Sequence, residues 1–237
     1  MTSWRIAETR SHIERRFGHS QLVLVKPTLD ALSDRQAYAR YHYQEVVRLL
    51  KRFAKIHLSG QPLIQVALGD GDGRAMLELF LTKTGAHAVA CAHCIHALPD
   101  LLAHAIYFAL GLNLLPTPLK ERAVSSTTVI DILKRAPHHQ ILRSTLSSLC
   151  NDGNFKHVAA LSNKAKHQGI VKPSLNEDMT GTRKDRHEIR FTAFQHSGKS
   201  FPEAKIAELL GPAYKLASEA IVKSGNEINR LYIENAV

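Results

Sequence analysis

Cysteine is scarce in this chain, with three in 237 residues. Three thiols are too few for a disulfide framework, and no apolar leader-like stretch stands near the start, so the expected setting is a reducing cytoplasm. Acidic residues are also few and scattered, 21 against 31 Lys and Arg. No paired carboxylates and no local nucleophile–base spacing mark a hydrolytic site. An uninterrupted membrane-length run is missing as well. The longest apolar stretch, Ala97 to Leu115, contains Pro99, Asp100, His104 and Asn113, with His93 and His96 just upstream. Charged and imidazole groups are costly at bilayer depth, so this stretch reads as a buried core helix and no membrane partner is expected. Repeats and low-complexity segments are absent.

What is present is a basic chain with ample core-forming material: 44% hydrophobic residues and a formal charge of +10. That length and composition predict one helical domain over 1–237, with a basic, loosely attached arm over about 1–32. The charge balance favours polyanion partners, chiefly nucleic acid, through counterion release and steering.

The periodicity is mostly helical. Gln21–Val25 looks like a short strand ended by Pro27, and Ser33 looks like the N-cap of a helix reaching His57. Leu63–Leu68 precedes a Gly-rich turn. Arg74–Thr84 reads as a helix stopped by Gly85, followed by a long Ala- and Leu-rich helical stretch to about Leu112. Pro99 starts a new helix there or kinks this one. Helices are expected at about 127–136, 138–150 and 154–167. The period then changes: Gly169–Lys172 and Glu188–Phe194 look extended, joined through a polar, basic loop at Asn176–Arg186. Pro202 opens a last helix to about Glu234 with a sustained apolar stripe. The predicted fold is mainly α, a helical bundle with a small antiparallel hairpin between the last two main helices.

Two local clusters have chemical potential but incomplete patterns. The loop Val66-Ala-Leu-Gly-Asp-Gly-Asp-Gly-Arg74 resembles the nucleotide loop of methyltransferase-type Rossmann folds. No acidic residue ends the next segment, however, and no strand–helix alternation follows, so Gly69–Gly73 reads as a turn and no cofactor is expected. His87, Cys91 and Cys94 sit at helical spacing that offers ligands from one side of a helix. A zinc site wants a second ligand pair, and none is evident, so no metal is assigned.

Cations concentrate on two helices. Arg40, Gln44, Arg48, Lys51 and Lys55 share one side of the helix ending at His57, a ridge that can track a phosphate backbone. On the helix 154–167, Lys156, Asn163 and His167 lie at offsets that keep them within about 20° of one meridian. Lys164 and Lys166 flank them. An amide, an imidazole and neighbouring cations suit contact with phosphate or ribose. The bland alternative is that His167 and Asn163 satisfy backbone groups at a helix C-terminus.

Two stretches carry a family resemblance. One is His93-Cys-Ile-His96-Ala-Leu-Pro-Asp100-Leu-Leu-Ala-His104; the other is Asn154-Phe155-Lys-His-Val-Ala-Ala-Leu-Ser162-Asn163-Lys-Ala-Lys166-His167, followed by the extended pair and the last helix. Over about 85–237 the chain resembles a bacterial branch of the HEPN superfamily (higher eukaryotes and prokaryotes nucleotide-binding). Its ribonucleases pair an Arg with a following His, often with a polar residue after the Arg, and two protomers bring their motifs together. The resemblance therefore implies a homodimer, a protein partner encoded nearby, and a toxin–antitoxin or phage-defence setting. Matched to the motif, His167 is the proton-handling His and Asn163 the polar residue. Ser162 stands where the Arg would be, which removes the cation that stabilises phosphate charge. Other Arg–His spacings fit the pattern at chance frequency, and Arg52–His57, at the end of the basic helix, is the one worth testing.

The expected function is thus a cytoplasmic, nucleic-acid-associated HEPN-like protein, RNA before DNA, with weak or no catalysis. The alternatives are an active metal-independent ribonuclease using Asn163 and His167, and a non-catalytic protein-interaction subunit.

Overall fold

The computed structural model describes residues 3–69 and 71–234. The mainly α architecture with a small antiparallel hairpin is the one observed. Among the described residues there are eight α-helices: α1 (Ile6–Phe17), α2 (His19–His57), α3 (Leu63–Leu68), α4 (Asp72–Ala109), α5 (Ser126–Leu133), α6 (Gln140–Asn151), α7 (Gly153–His167) and α8 (Ile206–Ile233). Five strands lie between α7 and α8: β1 (Pro173–Glu177), β2 (His187–Phe191), β3 (Phe194–His196), β4 (Lys199–Phe201) and β5 (Ala204–Lys205). The chain divides into two compact units, one of Met1–Ala37, Ile95–Lys156 and Tyr214–Val237, the other of Tyr38–Cys94 and His157–Ala213.

Within the first unit, the segment expected as an arm is helical from Ile6. Gln21, Val25, Leu29 and Leu32 are buried at helical spacing, so the apolar run read as a strand is part of a helical stripe that continues through Pro27. The start is tied down by polar contacts: the Trp4 indole N–H donates to Thr9 Oγ1 at 2.8 Å, and Thr9 donates to Asn229 at 2.6 Å. The polar residues that interrupt the Ala97–Leu115 stretch have structural jobs. Asp100 accepts the Ser126 backbone N–H at 2.9 Å at the start of α5, and Asn113 exchanges hydrogen bonds with Gln21. Ser125 and Thr128 complete the cap of α5. Among the described residues α4 alone is long and apolar enough to cross a bilayer, and 61% of its most apolar window is buried inside the protein. That is the burial of a core helix.

Within the second unit, α4 passes through Gly85 without stopping. A Cβ there would stand 3.0 Å from the Pro173 ring, so the glycine admits the chain entering β1. The hairpin is present, displaced from its expected start: β1 begins at Pro173, and Leu175 pairs with Ile189. Sheet order is β1-β2-β5, with all pairings antiparallel. A second hairpin, β3–β4, runs from the end of the expected extended stretch to just before Pro202, where the sequence pattern marks no element. Phe194 and Phe201 stack across it at 5.0 Å, with His157 of α7 5.2 Å from Phe201. The last helix starts at Ile206, four residues after Pro202, because Ala204 and Lys205 pair with β2 first.

Candidate nucleic-acid interface

Helix α7 starts where Asp152 accepts the Phe155 N–H at 2.9 Å, a side-chain cap on an otherwise unpaired donor. It ends when Gln168 and Gly169 both donate to the Lys164 carbonyl. The Lys164 carbonyl is thus taken by backbone, and neither Asn163 nor His167 makes a side-chain hydrogen bond among the described residues. His167 and Lys166 are exposed, and Asn163 and Lys164 are half-buried. Lys156 is exposed and belongs to the first unit, whereas Asn163 and His167 belong to the second.

Position 162 has a different character. Val158, Leu161 and Ser162 face the core, and Ser162 is fully buried. Its hydroxyl lies 2.8 Å from Nδ1 of His93 on α4. The residue matched to the family's Arg thus points inward, and both members of the contact are occupied within the protein. The other chemically suggestive groups are likewise engaged. His87 meets His42, Nδ1 to Nδ1, at 2.9 Å, and Tyr41 packs edge-on against both rings. Burial, then the neighbouring His87, push the His42 pKa down. Cys91 is buried, its thiol pushed up to about 12 chiefly by burial, and it donates to the Ala39 carbonyl at 3.2 Å. Among the described residues no group of three His, Cys, Asp or Glu side chains could hold a metal ion. The Gly-rich turn carries no nucleotide-loop context: Leu63–Leu68 before it is helical, Gly73 is already in α4, and Asp70 lies outside the described residues.

The cations divide sharply by partner. Arg183, Arg186, Arg190 and Lys205 of the hairpin region are neutralised locally, whereas Lys184 and Lys199 have no ion pair among the described residues. Buried Glu188 binds Lys205 at 2.6 Å, Arg190 at 2.9 Å and Arg183 at 3.5 Å; Glu177 binds Arg186 at 2.8 Å and accepts the Leu63 N–H. These contacts outweigh the burial that would raise their pKa values, and both carboxyls titrate below the usual Glu range. On α2, Arg48 is held by Glu45 through contacts of 2.5–3.0 Å, and Arg40 is exposed and engaged elsewhere. Lys51, Arg52, Lys55 and Lys166 are exposed and Lys164 is half-buried, and none of the five has an ion pair among the described residues. The last two turns of α2 and the last turn of α7 thus each carry a group of cations without ion pairs among the described residues, and single exposed positions elsewhere, such as Lys172, Lys184 and Lys199, are likewise without them.

Beside Arg52 lies a feature that the spacing of charges alone did not mark. Phe53 of α2 stacks on Phe80 of α4 at 4.4 Å, and the His57 ring packs on Phe53 at 4.8 Å. These rings line a cleft of about 180 Å³ that is walled by Ile56, Met76 and Leu79 and rimmed by Arg52 and Lys83. Lys83 is exposed and has no ion pair among the described residues. No Asp or Glu lines the cleft. By contrast, the larger groove between α6 and α8, about 650 Å³, is lined by Glu219 and Glu227 as well as Lys223 and Arg230, and its charges balance.

No family model, no curated protein and no solved structure matches the chain. Its function is read from the site itself. In the sequence the one pointer to the cleft was the Arg52–His57 spacing. Phe80 and Lys83 join it through the contact of Phe80 with Phe53, which no local spacing marks.

Proposed function

We propose that this chain is a cytoplasmic, RNA-facing protein of HEPN-like type that binds nucleic acid without cleaving it efficiently. The observation that carries this reading is the set of cations without ion pairs among the described residues on two helix ends, Lys51, Arg52 and Lys55 on α2 and Lys164 and Lys166 on α7, whereas Arg183, Arg186, Arg190 and Lys205 of the hairpin region are held by Glu177 and Glu188. Unpaired surface cations retain their hydration and counterions, and releasing those counterions onto a phosphate backbone drives association. Asn163 and His167, on the accessible end of α7, supply hydrogen-bonding groups toward phosphate or ribose.

Weak catalysis follows from position 162. A ribonuclease of this type needs a fixed cation beside the reacting phosphate. Here that position is a buried hydroxyl engaged with His93. His167 is exposed, but among the described residues no guanidinium pairs with it to stabilise the transition state. The homodimer, the operon partner and the toxin–antitoxin or phage-defence setting come with the family resemblance and belong to this proposal.

The test is direct. Purified protein is incubated with RNA in EDTA, and the RNA is examined for both retention and integrity. We expect retarded, intact RNA. Cleavage that disappears in His167→Ala makes the protein an active metal-independent ribonuclease instead. Absence of any RNA binding favours a pure protein-interaction subunit.

A further inference from the structure

We infer that the aromatic cleft between α2 and α4 is a binding slot for one unstacked nucleobase of a single strand, with the adjoining phosphates held by Arg52 and Lys83. This inference rests on the RNA-facing reading and names the part of the ligand that is recognised.

Three observations converge on it. The first is size. A cleft of about 180 Å³ is well below the roughly 300–1,000 Å³ that holds drug-sized molecules, and close to the ~150 Å³ that accommodates a single aromatic ring. The second is surface chemistry. The lining rings are contiguous, Phe53 stacked on Phe80 and His57 tilted against Phe53, and the walls are apolar side chains that remain exposed: Ile56, Met76 and Leu79. An extruded base gains from such a surface because every base has a π-face, and stacking is tolerant of sequence. The third is charge. The rim carries Arg52 and Lys83, both without ion pairs among the described residues, and the lining has no carboxylate to repel a phosphate.

The slot also continues the free ridge. Lys51 and Lys55 flank Arg52 on the same helix, so a strand that places a base against His57 can run its backbone along α2. A duplex cannot do this without breaking a base pair. The rim and rings contact only base and phosphate and include no feature that reads a 2′-hydroxyl. The ligand is therefore an unpaired base with its adjoining phosphates, from RNA or DNA, and the experiment separates the two sources.

The test uses a short oligoribonucleotide with a single 2-aminopurine, the same sequence as DNA, and each annealed to its complement, titrated with the full-length protein. We expect single strands to bind at least about ten-fold more tightly than duplexes, with a change in 2-aminopurine fluorescence on binding. Equal responses from RNA and DNA place recognition in base and phosphate alone; a ribose-only response adds contacts elsewhere on the protein. His57→Ala should abolish the fluorescence change and weaken single-strand binding by about five-fold or more, leaving duplex binding as it was. Lys83 lies outside the α2 ridge and is exposed, so Lys83→Ala should weaken the single strand several-fold with the fold intact by circular dichroism. RNA binding that is equal for single strand and duplex, and unchanged in both variants, overturns the slot while leaving the RNA-facing reading in place. Binding to anionic phospholipid vesicles with no binding to any nucleic acid overturns both.

Discussion

The Ser162 hydroxyl sits 2.8 Å from Nδ1 of His93, and the serine has no exposed surface. A side chain there is a packing element between α7 and α4. Replacing it by the arginine of the ribonuclease motif would drive a guanidinium into the core. We expect Ser162→Arg to destabilise the protein by about 3 kcal/mol or more and to confer no nuclease activity. Ser162→Ala removes one hydrogen bond and leaves His93 without this partner, at a cost of about 1–2 kcal/mol. Urea unfolding of the two variants, with the RNA-integrity assay alongside, distinguishes a structural position from a damaged catalytic one.

Trp4 lies flat against α8 at Gly225. A Cβ at that glycine would stand 2.0 Å from the indole, which sits there in part because its N–H is fixed on Thr9. Gly225→Ala would raise helix propensity in an isolated peptide, yet here it should destabilise by about 2 kcal/mol because the ring must move. The check is the urea midpoint of Gly225→Ala against wild type. An equal or higher midpoint contradicts the described position of Trp4.

His139 is buried, with Nδ1 unpartnered, and its pKa is pushed down to about 4 by burial first and by neighbouring His138 second. The unfolded chain, with an imidazole near its ordinary value of about 6.5, binds the proton more readily than the folded one. Between those two values the unfolded state therefore holds more protons, and stability rises with pH. The contribution is complete above about pH 6.5 and is lost as pH falls toward 4, at most about 3 kcal/mol. The folded pKa of His157 is lowered by burial as well and acts in the same direction. Asp178, held at about 2 by hydrogen bonds from Thr180 and Arg183, loses its contribution only below the His139 window. Urea unfolding at pH 7, 5.5 and 4.5 should show progressive loss, and His139→Leu should flatten it.

The sequence pattern carried the architecture well where one periodicity ran unbroken. The α7 boundaries, the α5 and α6 helices and the stripe of α8 follow from spacing, and the change of period after Gly169 announced the hairpin. It misled where propensity and pattern disagree over a short window. Gln21–Val25 has the composition of a strand, but Leu29 and Leu32 extend its burial at helical spacing, and the longer pattern prevails. Gly85 was read as a stop because glycine is a poor helix former; its reason is contact with Pro173, 88 positions away in a strand that no local window connects to it. The candidate site was partly legible. Exposed His167 and the cations Lys51 and Lys55 stand out in the sequence. That Arg48 is occupied by Glu45 follows from their i,i+3 spacing on α2, whereas the pairing of Arg186 with Glu177 and the meeting of Phe80 with Phe53 are consequences of tertiary placement.

The most direct measurement is the affinity for a short single-stranded RNA as a function of salt, in wild type and in Lys51→Ala/Lys55→Ala. Unpaired cations that meet phosphate predict a steep linear fall of log affinity with log salt concentration, shallower by about 1.4 in the double variant. An affinity that stays flat with salt, or a slope unchanged by losing both lysines, contradicts the account.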